Sequence, residues 1–127
     1  MSPDLDKALC EKYPLLFAQR HQSMQETCMC WGFECGDGWY TLIDVLCSLL
    51  QWDINHNGEP QIEVTQVKEK YGGLRFYVNQ STDRQGGAIA LAENLSYRIC
   101  EVCGAPGKPN KEGWIKTTCE VHKEGSN

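Results

Sequence analysis

Four residues near the C-terminal end carry the spacing of a metal site. They are Cys100 and Cys103 in CEVCG, and Cys119 and His122 in TCEVH, with two residues between the members of each pair and 15 residues between the pairs. A CxxC turn aims two thiolates at one centre from a tight loop, and Gly104, directly after it, can take the positive φ such a turn requires. A Cys3His set closes a tetrahedron around zinc at about 2.0 to 2.3 Å and leaves no coordination position for water. One structural Zn2+ per chain is therefore expected, rather than a catalytic ion with an open site. Residues 104 to 113, rich in Gly, Pro and Lys, cannot bury enough apolar area to order themselves. The metal is expected to do so, giving a knuckle, a short strand over 114 to 117 and a terminal helical turn carrying Cys119 and His122. That arrangement is of treble-clef or zinc-ribbon type. The zinc of a nucleobase deaminase does not fit, because those enzymes need H-x-E, whereas His21, His56 and His122 are followed by QS, NG and KE. HExxH and Gly-rich phosphate loops do not occur either.

Other reactive residues admit two readings each. Cys28, Cys30 and Cys35, with His21 upstream, could ligate a second metal or could be buried thiols, as free cysteine usually is. Cys10 and Cys47 fall in apolar helical stripes. Gly36 to Trp39, GDGW, could accept a phosphate, but more simply feeds a helix capped by Asp37. Around Tyr71 the cations Lys68, Lys70 and Arg75 alternate with rings, Phe76 and Tyr77 following. Cations pair with phosphates and rings stack on bases, so this is either a nucleic-acid contact or a solubilised hairpin.

The elements that must position these groups follow from periodicity. Ser2, Pro3 and Asp4 open a helix expected over roughly 3 to 20, with Pro14 interrupting or restarting it. A second helix is expected over 37 to 54, its apolar stripe of Leu42, Ile43, Val45, Leu46, Leu49, Leu50 and Trp52 assigned to the core. QIEVTQV and LRFYV alternate about KEKYGG and predict a β-hairpin. A third helix is expected over 85 to 99, with Ile89, Leu91, Ala92, Leu95 and Ile99 on one broad face.

Composition bounds the rest. The chain has 127 residues, 41% hydrophobic and 23% charged, enough for one domain with a modest core. No apolar run approaches the roughly 18 residues of a membrane span. MSPDLDKALCEK does not read as a secretory leader, so a cytoplasmic location is expected and metal is favoured over disulfides for the eight cysteines. Net charge is -5, and residues 1 to 58 hold eight acids against three bases, which argues against a general polyanion binder.

Taken together, YPLLF, CMCWGFECGDGWYTLID, TQVKEKYGGLRFYV, ICEVCGAPG and GWIKTTCEVH resemble a family of small proteins of bacteriophage and prophage genomes, over most of residues 13 to 122. The resemblance implies a phage-type accessory protein of the host-cell cytoplasm that binds, and thereby blocks, a host protein such as a component of antiviral defence.

The expected fold is α+β. Residues 1 to 99 form a core domain with helices on a small antiparallel sheet or hairpin, and residues 100 to 127 a zinc module packed on it. The expected function is non-catalytic protein binding. Trp31, Phe33, Tyr71 and Tyr77 are expected as exposed anchors, since they fall in the irregular loop and on the hairpin. Two alternatives remain. One is a nucleic-acid-binding regulator using Lys68, Lys70 and Arg75 with Lys108, Lys111 and Lys116. The other is an enzyme with a site near residues 28 to 37.

Overall fold

A computed structural model describes residues 1 to 123. Helix α1 spans Pro3–Lys12, with proline at its start and Asp4 and Asp6 in its first turn. It stops at Tyr13 (φ -127°, ψ 63°) because the residue before a proline is pushed out of the helical region. Pro14 therefore ends the helix expected to run to 20, and residues 14 to 20 continue as turns. Leu16 and Phe17 are still buried there, and the Leu16 carbonyl accepts the Val64 amide at 2.8 Å.

The irregular segment that follows is held by one ion pair. Arg20 binds the Asp6 carboxylate at 3.1 Å and also donates to the Cys30 carbonyl at 2.9 Å. This anchors a 3-10 turn, Met29–Trp31, and strand β1, Phe33–Glu34. Phe33, expected at the surface, is 3% exposed and meets the Phe17 ring edge-on at 5.0 Å. Its position in β1 turns it inward.

Strands β2, Val64–Lys70, and β3, Gly73–Val78, form the expected hairpin. Its tip is two residues, Tyr71 (φ 54°) and Gly72 (φ 84°), the positive-φ pair that matches strand twist. The sheet is three-stranded in the order β1-β2-β3, and β1 runs parallel to β2. It is thus mixed, where an antiparallel sheet was expected, because the sequence signal in β1 is only two residues long.

A 3-10 turn, Asp37–Trp39, leads into helix α2, Tyr40–His56. Asp37 makes no side-chain cap; its carboxylate accepts the Ser2 amide at 2.7 Å instead. Ile43, Leu46, Cys47 and Leu50 face the core. Val45, Leu49 and Trp52, assigned to the core from sequence, are exposed, because the buried arc of α2 is narrower than its apolar arc. Helix α3, Asp83–Ser96, is fixed by a capping box in which the Thr82 hydroxyl accepts the Gln85 amide and the Gln85 side chain accepts the Thr82 amide. Its Leu91 and Leu95 are also exposed, whereas Ile89 and Ala92 are buried. Ser96 and Glu93 accept the Leu74 and Phe76 amides along the outer edge of β3.

Gln85 is 1% exposed and donates to the Pro60 carbonyl at 2.8 Å, so the cap also ties the α2–β2 connection to α3. Thr82→Ala should lower stability by about 1 to 2 kcal/mol, read as a lower urea midpoint at unchanged slope.

Candidate metal centre

Two chain reversals bring the ligands together. The first is a knuckle in which Gly104 (φ 81°) donates to the Cys100 carbonyl at 2.9 Å and Cys100 donates to the Ala105 carbonyl at 2.7 Å. The second is the pairing of β4, Lys108–Pro109, with β5, Thr117–Thr118. Asn110 closes the loop between them: its amide nitrogen donates to the Glu112 and Trp114 carbonyls, and its carbonyl oxygen accepts the Lys116 amide. The expected strand over 114 to 117 is displaced to Thr117–Thr118, and bends rather than a helical turn carry Cys119 and His122.

The donor atoms of Cys100, Cys103, Cys119 and His122 all lie within 4.8 Å of one another. Cys103 Sγ and Cys119 Sγ are 3.8 Å apart, and His122 Nδ1 is 3.8 Å from Cys100 Sγ and 3.3 Å from Cys119 Sγ. A tetrahedron with metal–sulfur bonds of about 2.3 Å and a metal–nitrogen bond of about 2.0 Å has edges of roughly 3.5 to 3.8 Å. The three printed separations match or lie close to those edges, and the four side chains are near enough to hold one metal ion, with His122 Nδ1 facing the Cys100 and Cys119 sulfurs. Cys100 is buried and the other three are partly or fully accessible.

The electrostatics suit a cation. Burial pushes the Cys100 thiol up, but the amides of Cys119, Cys103 and Val102 outweigh it and bring the group down to about 6. At Cys119 the His122 amide is the main cause of a lowered value, and the Cys119 sulfur in turn raises His122. Cys103 is moved up: the Ala105 amide lowers it, but burial and the neighbouring sulfurs of Cys100 and Cys119 prevail.

A web of contacts that the sequence reading did not single out joins this cluster to the core. Glu101, between the two knuckle cysteines, accepts the Gly38 amide on its carbonyl at 2.8 Å and the Gly36 amide on its carboxylate at 2.9 Å. Its own amide donates to Thr117 at 3.0 Å. A Cβ added at Gly38 would lie 2.1 Å from the Cys100 carbonyl oxygen, and one at Gly36 would lie 2.3 Å from that of Glu101. GDG is thus a cradle for the knuckle, neither a helix cap nor a phosphate turn. Trp39, fully buried, donates its indole N–H to the Ile99 carbonyl at 2.9 Å. Lys116 pairs with Glu69 of β2 at 2.9 Å and approaches Glu101 at 3.8 Å, while the Thr117 hydroxyl donates to the Gly72 carbonyl at 2.6 Å. The doublet Gly36 and Gly38 was the one sequence signal for this contact.

The remaining site candidates separate. Among the described residues, Cys100, Cys103, Cys119 and His122 form the one metal-like cluster of three or more Cys, His, Asp or Glu. Cys28 is exposed, Cys30 donates to the Thr27 carbonyl and Cys35 is buried, so these three do not gather. Burial drives the thiols of Cys10 and Cys35 up to about 12, Asp6 adding to it at Cys10, which leaves both protonated and poor nucleophiles at neutral pH. Trp31, Tyr71 and Tyr77 are exposed as expected. At the hairpin, Lys68 lies opposite Arg75, and the Arg75 guanidinium donates to the Tyr97 hydroxyl at 3.2 Å. Lys70 rests 5.6 Å from the centre of the exposed Tyr71 ring. Lys108 and Lys111 are exposed at the loop of the second reversal.

No described helix is long and apolar enough to cross a membrane. In comparisons with known proteins, no family model, curated protein or solved structure matches the chain.

Two outcomes are expected. Gly38→Ala should cost about 1 to 3 kcal/mol through overpacking and weaken metal binding, whereas Gly87→Ala, with open space around it, should stabilise by about 0.5 to 1 kcal/mol. Metal titrations of both variants check this. Binding at pH 7 should also release at least one proton, because Cys103 starts protonated and must ligate as thiolate. Affinity should therefore fall as pH falls. Calorimetry in two buffers of different ionisation enthalpy measures the proton count.

Proposed function

We propose that the chain is a non-catalytic, zinc-stabilised binding protein of phage type that acts stoichiometrically by occupying, and so inhibiting, a host protein such as a defence component. The observation that carries this reading is the closed donor set. Three sulfurs and one imidazole gathered within 4.8 Å of one another suit zinc, which takes such donor sets structurally and keeps no open position in them. A four-ligand ion of this kind supplies folding free energy and no activated water. What it fastens is an end of the molecule where Tyr71, Trp114 and Ile115 are exposed and where the second reversal is tied to the hairpin by Lys116 and Thr117. Exposed rings on a fixed backbone are favoured interface anchors. Phe33 leaves the anchor set because it is buried.

A nucleic-acid reading is favoured by one observation, the exposed Lys70–Tyr71 pair, a cation beside a ring that a base could stack on. Against it, Lys116 is paired with Glu69 and the chain as a whole carries a net charge of -5. A low-salt shift with duplex or single-stranded nucleic acid that disappears in Lys68→Glu with Lys70→Glu would establish this second reading.

Native mass spectrometry should give one zinc per chain, and Cys119→Ser should lose the metal and the order of residues 100 to 122 while the helical core persists. Freshly purified protein at the apo mass contradicts the zinc assignment. With a host protein captured and purified, inhibition should saturate near one chain per binding site. Tyr71→Ala should cost about 2 kcal/mol, roughly 30-fold in Kd, at unchanged stability. Turnover of many partner molecules by one chain would show an enzyme instead.

A further inference from the structure

Two of the four gathered side chains are also placed to react with each other. Cys103 Sγ and Cys119 Sγ lie 3.8 Å apart, Cys103 is exposed and Cys119 half-buried, and both are free thiols. The third sulfur is held back from this pair. Cys100 is 0% exposed, and its sulfur accepts the amides of Val102, Cys103 and Cys119. Outside the cluster, Cys35 and Cys47 are buried, Cys10 lies 3.7 Å from the Asp6 carboxylate, and Cys30 donates to the Thr27 carbonyl. Oxidation of thiols follows access and thiolate character, and metal ligands are thiolates. An oxidant arriving from solvent therefore meets, at Cys103, a sulfur with a second one in reach. The places of the two residues in the chain give the pair a structural meaning. Cys103 belongs to the first reversal and Cys119 directly follows β5 in the second, with 15 residues between them.

We propose that Cys103 and Cys119 form a hydroperoxide-sensitive dithiol whose oxidation exchanges one fastener for another: the metal ion leaves, and a Cys103–Cys119 disulfide keeps the two reversals joined. The metal half of this exchange rests on the zinc reading above; the dithiol half rests on the sulfur geometry alone. The accessible Cys103 thiolate attacks a hydroperoxide oxygen, the O–O bond breaks, and the departing oxygen takes a proton to leave as water or an alcohol. Cys103 is then a sulfenic acid. The Cys119 thiolate attacks that sulfur, the S–S bond forms as the S–O bond breaks, and the hydroxide released takes a proton to become water. Two electrons pass from the sulfurs to the peroxide. Only Cys100 and His122 are left as donors, two where zinc takes four, so the ion is released. Conversely, an ion that holds both sulfurs occupies the electron pairs that attack the peroxide, so metal and oxidant compete for the same two residues.

Treatment of the full chain, carrying one equivalent of Zn2+, with hydrogen peroxide in the absence of thiols tests this. Free zinc is followed with a chromophoric chelator, and disulfides by non-reducing peptide mapping. One zinc should be released per disulfide formed, the disulfide should join Cys103 to Cys119, excess Zn2+ should slow both events, and a thiol reductant should restore zinc binding. Cys28→Ser, which removes the exposed cysteine outside the cluster, should behave as the parent does. The amides of Gly104 and Gly107, which donate to the Cys100 and Arg98 carbonyls, should keep their exchange protection in the oxidised chain and lose it in the reduced, chelated one. A disulfide on another pair, oxidation that ends in sulfinic acids, or zinc retained after the disulfide has formed overturns the inference. Loss of Gly104 and Gly107 protection on oxidation overturns the exchange of fasteners. The same mapping on the metal-free chain separates the two readings. A protein that takes up no zinc overturns the zinc reading and with it the exchange, while a Cys103–Cys119 disulfide formed there upholds the dithiol and a different product overturns that too.

Discussion

The backbone of Glu101 runs so close to the Gly36–Gly38 turn that neither glycine could carry a side chain. Its carbonyl and carboxylate take the amides of that turn, and its own amide reaches Thr117 in the second reversal. Because Glu101 lies between Cys100 and Cys103, whatever fixes the knuckle also fixes the start of α2. Conversely, the buried Trp39, bonded to the Ile99 carbonyl, holds the knuckle at the surface of the main core. A Cys3His cluster on a segment with few buried apolar side chains is thus placed by backbone contacts rather than by a core of its own. Lys116 and Thr117 link this segment in turn to the hairpin, through Glu69 and the Gly72 carbonyl.

Much of this was legible in the residues. The paired CxxC and CxxH spacing pointed to the four side chains that the fold gathers, and Gly104 adopts the positive φ expected of it. Alternation located the β2–β3 hairpin, and apolar periodicity located α2 and α3. The misses have physical causes. Pro14 ended α1 where the pattern of apolar residues continued, because its effect falls on Tyr13 before it. A two-residue strand such as β1 has no period to detect, so the inward turn of Phe33 was invisible. The Thr82–Gln85 box was present in sequence but lay ahead of the apolar run, which set the start of α3 too late. Contacts such as Glu101 with Gly36 span 65 positions and leave no local mark beyond a pair of glycines.

The exposed arc of α2 shows a further limit. Hydrophobicity gives the width of an apolar face but not how much of it the chain itself covers. Ile43, Leu46, Cys47 and Leu50 are covered, while Val45, Leu49 and Trp52 are not, and nothing in their residue types distinguishes the two sets. The division arises from where α1 and α3 come to rest against α2. The molecule accordingly presents two kinds of surface: an apolar helical ridge, and an aromatic, cationic tip joined to the end that carries the Cys3His cluster.

The central claim is that a bound ion holds residues 100 to 118 against the core through the Glu101 contacts. Amide hydrogen exchange on the full chain, with metal and after chelation, tests it most directly. The amides of Gly38, Glu101, Gly104 and Gly107 all donate within this region, and those of Ile43 to Leu50 belong to the main core. On chelation the first set should lose protection while the second keeps it. Equal protection of Glu101, Gly104 and Gly107 with and without metal would contradict the account, because the knuckle would then be holding itself in place.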